Sequence, residues 1–207
     1  MKHPRLFFVI GPTNAGKGHL LDHLGRQPDV GLVEVGKLMR AKYLDPKSPH
    51  YNPDYFKGQA APTHTAIEAW QMMLDGIRSC LDAGNRTIFV DGQPRDVPQC
   101  IQIINQFERS GDFDVEYIHV YAPEEIRRER AALRDAGDEA KLKLSEARML
   151  GDLVKLYEVL TRLINHGSII NTIYNGVDAD MAAIVHQILY HEPGMDPRIR
   201  SDRLWNT

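Results

Sequence analysis

Short apolar runs alternate along this chain with longer amphipathic segments. The runs are nearly continuous and rich in β-branched and aromatic residues, as is typical of strands covered on both faces of a sheet. They are Leu6–Ile10, Gly31–Val35, Thr87–Val90, Val115–Tyr121 and Ser168–Tyr174.

Helical periodicity occupies the segments between these runs. Ala66–Leu81 places Ile67, Ile77 and other apolar side chains on one face, and Gly84 follows as a stop. Because strands alternate with helices, the sequence predicts an α/β layer fold with a mainly parallel sheet. The other predicted helices are Pro98–Phe107, Pro123–Arg134, Ser145–Asn165 and Asp180–Tyr190.

The composition is that of one soluble globular domain spanning residues 1–207, with 43% apolar and 26% charged residues. A net charge of −3 favours neither nucleic acid nor a membrane surface as a partner, so any anion site must be a local concentration of Arg and Lys. Cys80 and Cys100 lie within apolar helical patterns, which favours free thiols in a reducing compartment, with a disulfide as the alternative. The apolar run near the N-terminus is too short for a signal peptide, so we expect a cytoplasmic protein.

A phosphate-binding loop is predicted where the first strand ends. The segment GPTNAGK, which begins at Gly11, has the spacing Gly, four residues, Gly16-Lys17. Glycines allow successive backbone N–H groups to face one anion, the following helix adds its dipole, and Lys17 can reach outer phosphates. An ordinary glycine turn is the alternative, but it leaves the lysine at this spacing unexplained.

Gly18 follows the lysine, where most such loops carry Ser or Thr, and His19 comes next. This Gly-Lys-Gly ending resembles that of adenylate kinases and related nucleoside monophosphate (NMP) kinases. The resemblance implies a three-layer P-loop fold with a five-stranded, mainly parallel sheet, an NMP-binding excursion at 36–65 and a short lid at 134–147. It also implies that ATP binds to the loop residues Gly11, Asn14, Ala15, Gly16, Lys17, Gly18 and His19.

A second segment, TIFVDGQPRDVPQ, resembles the family's strand ending in Asp-Gly-Phe-Pro-Arg, with Gln93 in place of Phe. By this resemblance Asp91 would hold Mg²⁺ through water, and Gly92 would belong to the acceptor site. Arg95 would bind the acceptor's phosphate and Gln99 its base. A simple turn is the alternative for Asp91 and Gly92.

A third segment, VEVGKLMRAK, resembles the family's Thr-Gly-Asp-x-Leu-Arg sequence and keeps Gly36 and Arg40. Arg40 would be a second arginine on the acceptor's phosphate, although a solvated helix face is the alternative for it. Val35 replaces a Thr near the acceptor base, and Lys37 replaces an acid near the metal. The later segment GQAAP, which contains Ala61, resembles the end of the acceptor-binding excursion.

A fourth resemblance concerns the donor side. Arg130 and Arg134 share a helix face, and the family keeps two arginines at this spacing, on the donor and on the transferring group. Counting back from Gly167 without a gap places Arg148 on a further phosphate-binding arginine. Gly176 falls in the turn that packs the donor base. A basic surface stripe paired with nearby glutamates is the alternative.

Together these segments imply an ATP- and Mg²⁺-dependent kinase that phosphorylates AMP or dAMP. Gln99 favours these acceptors, whereas Val35 and Lys37 leave CMP, UMP or a modified nucleotide open. The implied catalytic residues are Lys17, Arg95, Arg130, Arg134 and Arg148. Two alternatives stand beside this hypothesis: a P-loop kinase acting on a small alcohol, a sugar or a base within nucleic acid, and a non-catalytic nucleotide-binding protein. The tail 192–207 is interpreted as an extension or an oligomer contact.

Overall fold

The computed structural model describes residues 3–55 and 63–190, without the side chains of residues 63–66, 139–141, 144–148 and 150. Ala61 and the tail 192–207 therefore lie outside the described residues. The central feature is one five-stranded sheet in the order β2-β3-β1-β4-β5, with every strand pair parallel. The strands are β1 (Arg5–Ile10), β2 (Val30–Glu34), β3 (Thr87–Asp91), β4 (Asp114–Tyr121) and β5 (Ile170–Tyr174).

Helices cover both faces of this sheet. The described residues form α1 (Lys17–Leu24), α2 (Val35–Leu44), α3 (Thr63–Asp82), α4 (Val97–Ile103, continued by a π-helical turn over Ile104–Glu108), α5 (Glu124–Arg134), α6 (Glu139–His166) and α7 (Met181–Tyr190). Seven helices around an all-parallel five-stranded sheet confirm the predicted three-layer, P-loop-like α/β fold.

The two faces of β1 belong to separate hydrophobic cores. Leu6 and Phe8 pack with side chains of α3, α4 and α6, whereas Phe7 and Val9 pack with α1 and α7. The chain therefore leaves β1 toward one layer and leaves its neighbour β3 toward the other. In parallel α/β sheets such a change of side opens a crevice at the carboxyl ends of the strands, which is where ligands bind. Register places Val9 opposite Asp91 at this edge.

Local details differ from the sequence prediction at two places. Ile67 and Ile77 are predicted to share one face of α3, but Ile67 is 67% exposed whereas Ile77 is buried. The helix predicted from Ser145 begins at Glu139, and only residues 135–138 separate it from α5. Glu, Ala, Lys and Leu at the start of α6 are all good helix formers, which explains the earlier start.

Both cysteines are free thiols, and Cys100 is buried. Burial raises the pKa of the Cys100 thiol to about 11. Of the helices in residues 3–55 and 63–190, none combines the length and the apolar character needed to cross a membrane.

Candidate functional site

The loop between β1 and α1 has the geometry that its glycines predict. Gly16 has a φ of 90° and Asn14 a φ of 65°, both in the left-handed region. A Cβ at Gly16 would overlap the side-chain amide of Asn175, and one at Gly11 would collide with the Val120 carbonyl oxygen. These positions therefore require glycine both for the backbone turn and for the close approach of neighbouring groups.

Lys17 lies at the centre of the site. Its ammonium donates hydrogen bonds to the carbonyl oxygens of Gly11 (2.8 Å) and Pro12 (3.1 Å). Burial lowers its pKa, and the charge of Arg95 acts in the same direction, whereas the carboxylates Asp91 and Asp152 raise it. Charged groups from β3, the segment after β3 and α6 thus each lie within electrostatic range of Lys17.

Two arginines of α5 bind the loop directly. The Arg130 guanidinium donates to the carbonyl oxygens of Ala15 (3.1 Å) and Asn175 (3.1 Å), and at 3.4 Å to that of Asn14. Arg134 donates to the Asn14 side-chain oxygen at 2.9 Å and pairs with Asp135 at 2.7 Å. The structure therefore brings together the loop and both predicted donor-side arginines.

The surface-stripe alternative describes only part of α5. Arg128 does form an exposed ion pair with Glu124, at 2.7 Å. Arg127 instead is buried, and its Nε donates to the Ala122 carbonyl oxygen at 3.2 Å.

Asn175 is a site residue that the sequence prediction missed. It directly follows β5 and is buried. Its side-chain nitrogen donates to the Ala15 carbonyl oxygen at 2.9 Å. Its backbone N–H donates to Tyr121 at the end of β4. The available signal was an Asn-Gly pair directly after the last strand. A Cβ at the adjacent Gly176 would overlap the Tyr174 ring.

The predicted acceptor-side residues converge on the contact between Gly36 and Gly92. A Cβ placed at Gly92 would be 3.5 Å from Val35 Cβ and 3.6 Å from both the Gly36 nitrogen and Arg95 Nη2. One placed at Gly36 would be 3.3 Å from Arg40 Nη1. The Arg40 guanidinium therefore lies beside Gly36 and that of Arg95 beside Gly92, where the two glycines approach each other.

Arg95 is held by its neighbours in the chain. Its Nε donates to the Gly92 carbonyl oxygen at 2.9 Å, and its backbone N–H donates to Gln99 Oε1 at 2.8 Å. Asp96 caps the N-terminus of α4 by accepting from the Gln99 backbone N–H at 2.9 Å. This cap places the Gln99 amide group next to Arg95.

Asp91 offers a carboxylate at the predicted metal position. Its Oδ1 is buried and has no hydrogen-bond partner among the described residues. In the same part of the chain, no group of three or more His, Cys, Asp or Glu side chains could hold a metal ion. A single carboxylate suits Mg²⁺, which is commonly bound by one or two carboxylates together with phosphate oxygens and water.

Lys37, the charge reversal noted in the sequence, has an acidic partner. Its ammonium lies 2.7 Å from Glu34 and 3.9 Å from Asp22. The hydrogen bond with Glu34 raises the pKa of Lys37. Its positive charge is therefore compensated locally, on a side chain that is 58% exposed.

His119 is a second residue that the sequence prediction missed. It pairs with Ile10 in the β1–β4 register, next to the start of the loop. Burial, and then the charge of Lys17, lowers its pKa to about 4, so the ring is neutral near pH 7. Burial at the carboxyl end of β4 depends on the tertiary packing, which explains why no sequence pattern revealed it.

Three further predicted residues have less structural support. Arg148 lies on α6, one turn before Asp152, but its side chain is not among those described. His19 is exposed, and its ring meets His23 edge to face with centroids 4.7 Å apart. Gly18 has no neighbouring atom within 4 Å of a Cβ built there, among the described residues.

The fold and the site define a three-layer α/β protein with a glycine-rich loop at the carboxyl edge of its parallel sheet. A crystal structure of a "putative kinase" from Chloroflexus aurantiacus has the same fold, with a TM-score of 0.62 and 17% sequence identity. The match covers 92% of this chain and 100% of that one. No protein-family model and no curated protein matches the sequence.

Proposed function

We propose that this protein is an ATP- and Mg²⁺-dependent nucleoside monophosphate kinase, with AMP or dAMP as the acceptor. The observation that carries the proposal is the pair Arg40 and Arg95, which lies beside Gly36 and Gly92, with Arg95 in electrostatic range of Lys17. A second phosphate placed there would face the donor's outer phosphates. The description of the structural neighbour as a kinase supports phosphoryl transfer in general.

The donor's phosphates would bind to the backbone N–H groups of the loop and to Lys17. Arg130 and Arg134 fix the loop's carbonyl and side-chain oxygens, so the N–H groups keep a constant direction. Such preorganised donors stabilise the charge that spreads over phosphoryl oxygens during transfer. Arginine suits this role because its planar group binds two oxygens at once and keeps its charge.

The acceptor's phosphate would bind between Arg40 and Arg95, with its base near Val35 and Gln99. An acceptor phosphate oxygen is already ionised at neutral pH, so this reaction requires no general base. Asp91 would hold Mg²⁺ through water, and the ion would neutralise the charge of the transferring group.

A coupled assay of ADP formation with ATP and a panel of nucleoside monophosphates tests the proposal. We expect turnover with AMP or dAMP and much less with CMP or UMP. ATP binding without turnover on any monophosphate would instead favour a non-catalytic nucleotide-binding protein.

A P-loop kinase with an alcohol acceptor is the second candidate. The buried Asp91 Oδ1, which lacks a hydrogen-bond partner in the described part of the chain, favours it because a carboxylate can accept a hydroxyl proton. Two arginines beside Gly36 and Gly92 are unexplained by such an acceptor. Replacing the monophosphates in the same assay by sugars, polyols and nucleosides separates the two candidates.

A further inference from the structure

One hydrogen bond connects the glycine-rich loop to α6. The Thr13 hydroxyl, in the third position of the loop, donates to Asp152 Oδ2. Asp152 is half-buried and lies at the middle of α6, the long helix that follows α5. None of the sequence motifs that define the loop requires an acid on α6, so this contact is a property of the tertiary structure.

The contact places a negative charge beside the loop that we propose to bind phosphate. Asp152 acts electrostatically on Lys17, which ends the same loop, and its sign there is opposite to that of Arg95. A phosphate group that approaches Lys17 therefore meets an attractive ammonium and a repulsive carboxylate together. The interaction between two unit charges several ångströms apart at a protein surface is strong enough to change the affinity for a phosphate group at least several-fold.

We propose that Asp152 is a specificity-determining residue that makes the loop favour the Mg²⁺ complex of a nucleoside triphosphate over the metal-free triphosphate. This inference rests on the proposed function, since it concerns the donor of the same reaction. The metal complex carries about two fewer negative charges than the free nucleotide, so the Asp152 carboxylate repels it less. A bound cation near the outer phosphates would be attracted by the same group.

A substitution can separate charge from hydrogen bonding at this position. In Asp152→Asn the side-chain oxygen can still accept from Thr13, so the connection between α6 and the loop is retained while the charge is removed. Asp152→Glu keeps the charge. Glu158→Gln, six residues further along α6 and exposed, is the matched control for loss of one acid from the same helix.

The experiment measures the Kd of ATP by titration calorimetry, once with excess Mg²⁺ and once with EDTA, for the full-length chain and these variants. We expect Asp152→Asn to bind metal-free ATP about tenfold more tightly and the Mg²⁺ complex with little change or more weakly. The preference for the Mg²⁺ complex, which is the ratio of the two Kd values, then falls about tenfold or more. Asp152→Glu and Glu158→Gln keep the wild-type preference.

An unchanged preference in Asp152→Asn would overturn the inference, as would equal weakening of both forms, which indicates a structural role only. Thermal melts show whether the variant is folded, and Asp152→Ser, which also offers an oxygen to Thr13, replaces it if it is not. Failure of the proposed function has a different signature: wild-type protein would bind neither form of ATP, or would bind ATP without turnover of any monophosphate in the coupled assay.

Discussion

Replacement of Gly16 by alanine is the sharpest test of the loop geometry. Gly16 has a φ of 90°, and a Cβ there would overlap the side-chain nitrogen of Asn175 and lie 3.1 Å from Arg130 Nη1. The methyl group therefore opposes the backbone conformation and displaces the amide that donates to the Ala15 carbonyl oxygen. Both effects act on the part of the loop that would face phosphate.

The expected cost can be worked out from these contacts. A left-handed conformation costs an alanine about 1–2 kcal/mol. Loss of the Asn175 hydrogen bond, which leaves a buried amide without its partner, costs about 1–3 kcal/mol more. We therefore expect Gly16→Ala to reduce the free energy of unfolding by about 2–5 kcal/mol.

Equilibrium urea unfolding measures this difference, and Gly18→Ala is the matched control for stability. A Cβ at Gly18 meets no described atom within 4 Å, and Gly18 is the second residue of α1. Alanine there should leave the free energy of unfolding unchanged or raise it by up to about 1 kcal/mol.

A double-mutant cycle identifies the cause. In an Asn175→Ala background the amide is absent, so Gly16→Ala should cost about 1–3 kcal/mol less than in the wild type. If the free energy of unfolding of Gly16→Ala lies within about 0.5 kcal/mol of the wild-type value, the steric and conformational reasoning is refuted.

Three further predictions concern the acceptor site and two titrating groups. Arg95→Ala should lower kcat/KM at least a hundredfold in the coupled assay, because it removes a charge-assisted contact to the acceptor's phosphate, whereas Arg109→Ala, an exposed arginine bonded to Asn105, should not. The pKa of His119 is lowered to about 4 from 6.5, so the unfolded chain binds the proton more readily between these values. As pH falls through that window, the free energy of unfolding of wild type should therefore decrease relative to that of His119→Gln, by at most about 1.4 kcal/mol per pH unit. Urea titrations at several pH values measure this difference. Hydrogen bonds from Lys42 and Tyr43 lower the pKa of Glu68 below 4.5, so the stability advantage of wild type over Glu68→Gln should be present above pH 4.5 and disappear as pH falls below it.

Each of these expectations has a contradicting result. Near-normal turnover of Arg95→Ala would remove the acceptor role of that residue. A parallel pH dependence of wild type and His119→Gln would mean that the ring is not buried in its neutral form. A difference between wild type and Glu68→Gln that does not decrease as pH falls below 4.5 would exclude the ion pair with Lys42 as its source.

The sequence predicted the architecture because each strand and helix has its own periodicity. Five apolar runs became five parallel strands, and the loop at Gly11 lies between a strand and a helix as expected. The sequence predicted less well which residues of a helix are buried. Ile67 fits the apolar stripe of α3 by spacing but is 67% exposed, since helical spacing alone does not show how far the core extends.

The candidate site was predicted in outline for a similar reason. Lys17 and the loop glycines occupy adjacent positions, so one local pattern predicts them. Asn175 lies in the turn after β5, His119 in β4 and Asp152 in α6. No local spacing connects these three residues to the loop. Their contacts depend on which strands become neighbours of β1.

By itself, the sequence determined the order of elements and the presence of a glycine-rich loop between β1 and α1, because hydrophobic period and glycine spacing are local properties. Only the tertiary structure decided that Gly36 and Gly92 come close together, that Asn175 bonds to the loop, and that Asp152 accepts a hydrogen bond from Thr13. Those contacts join residues far apart in the chain, and they form because the parallel sheet brings the carboxyl ends of β1, β3 and β4 to one edge.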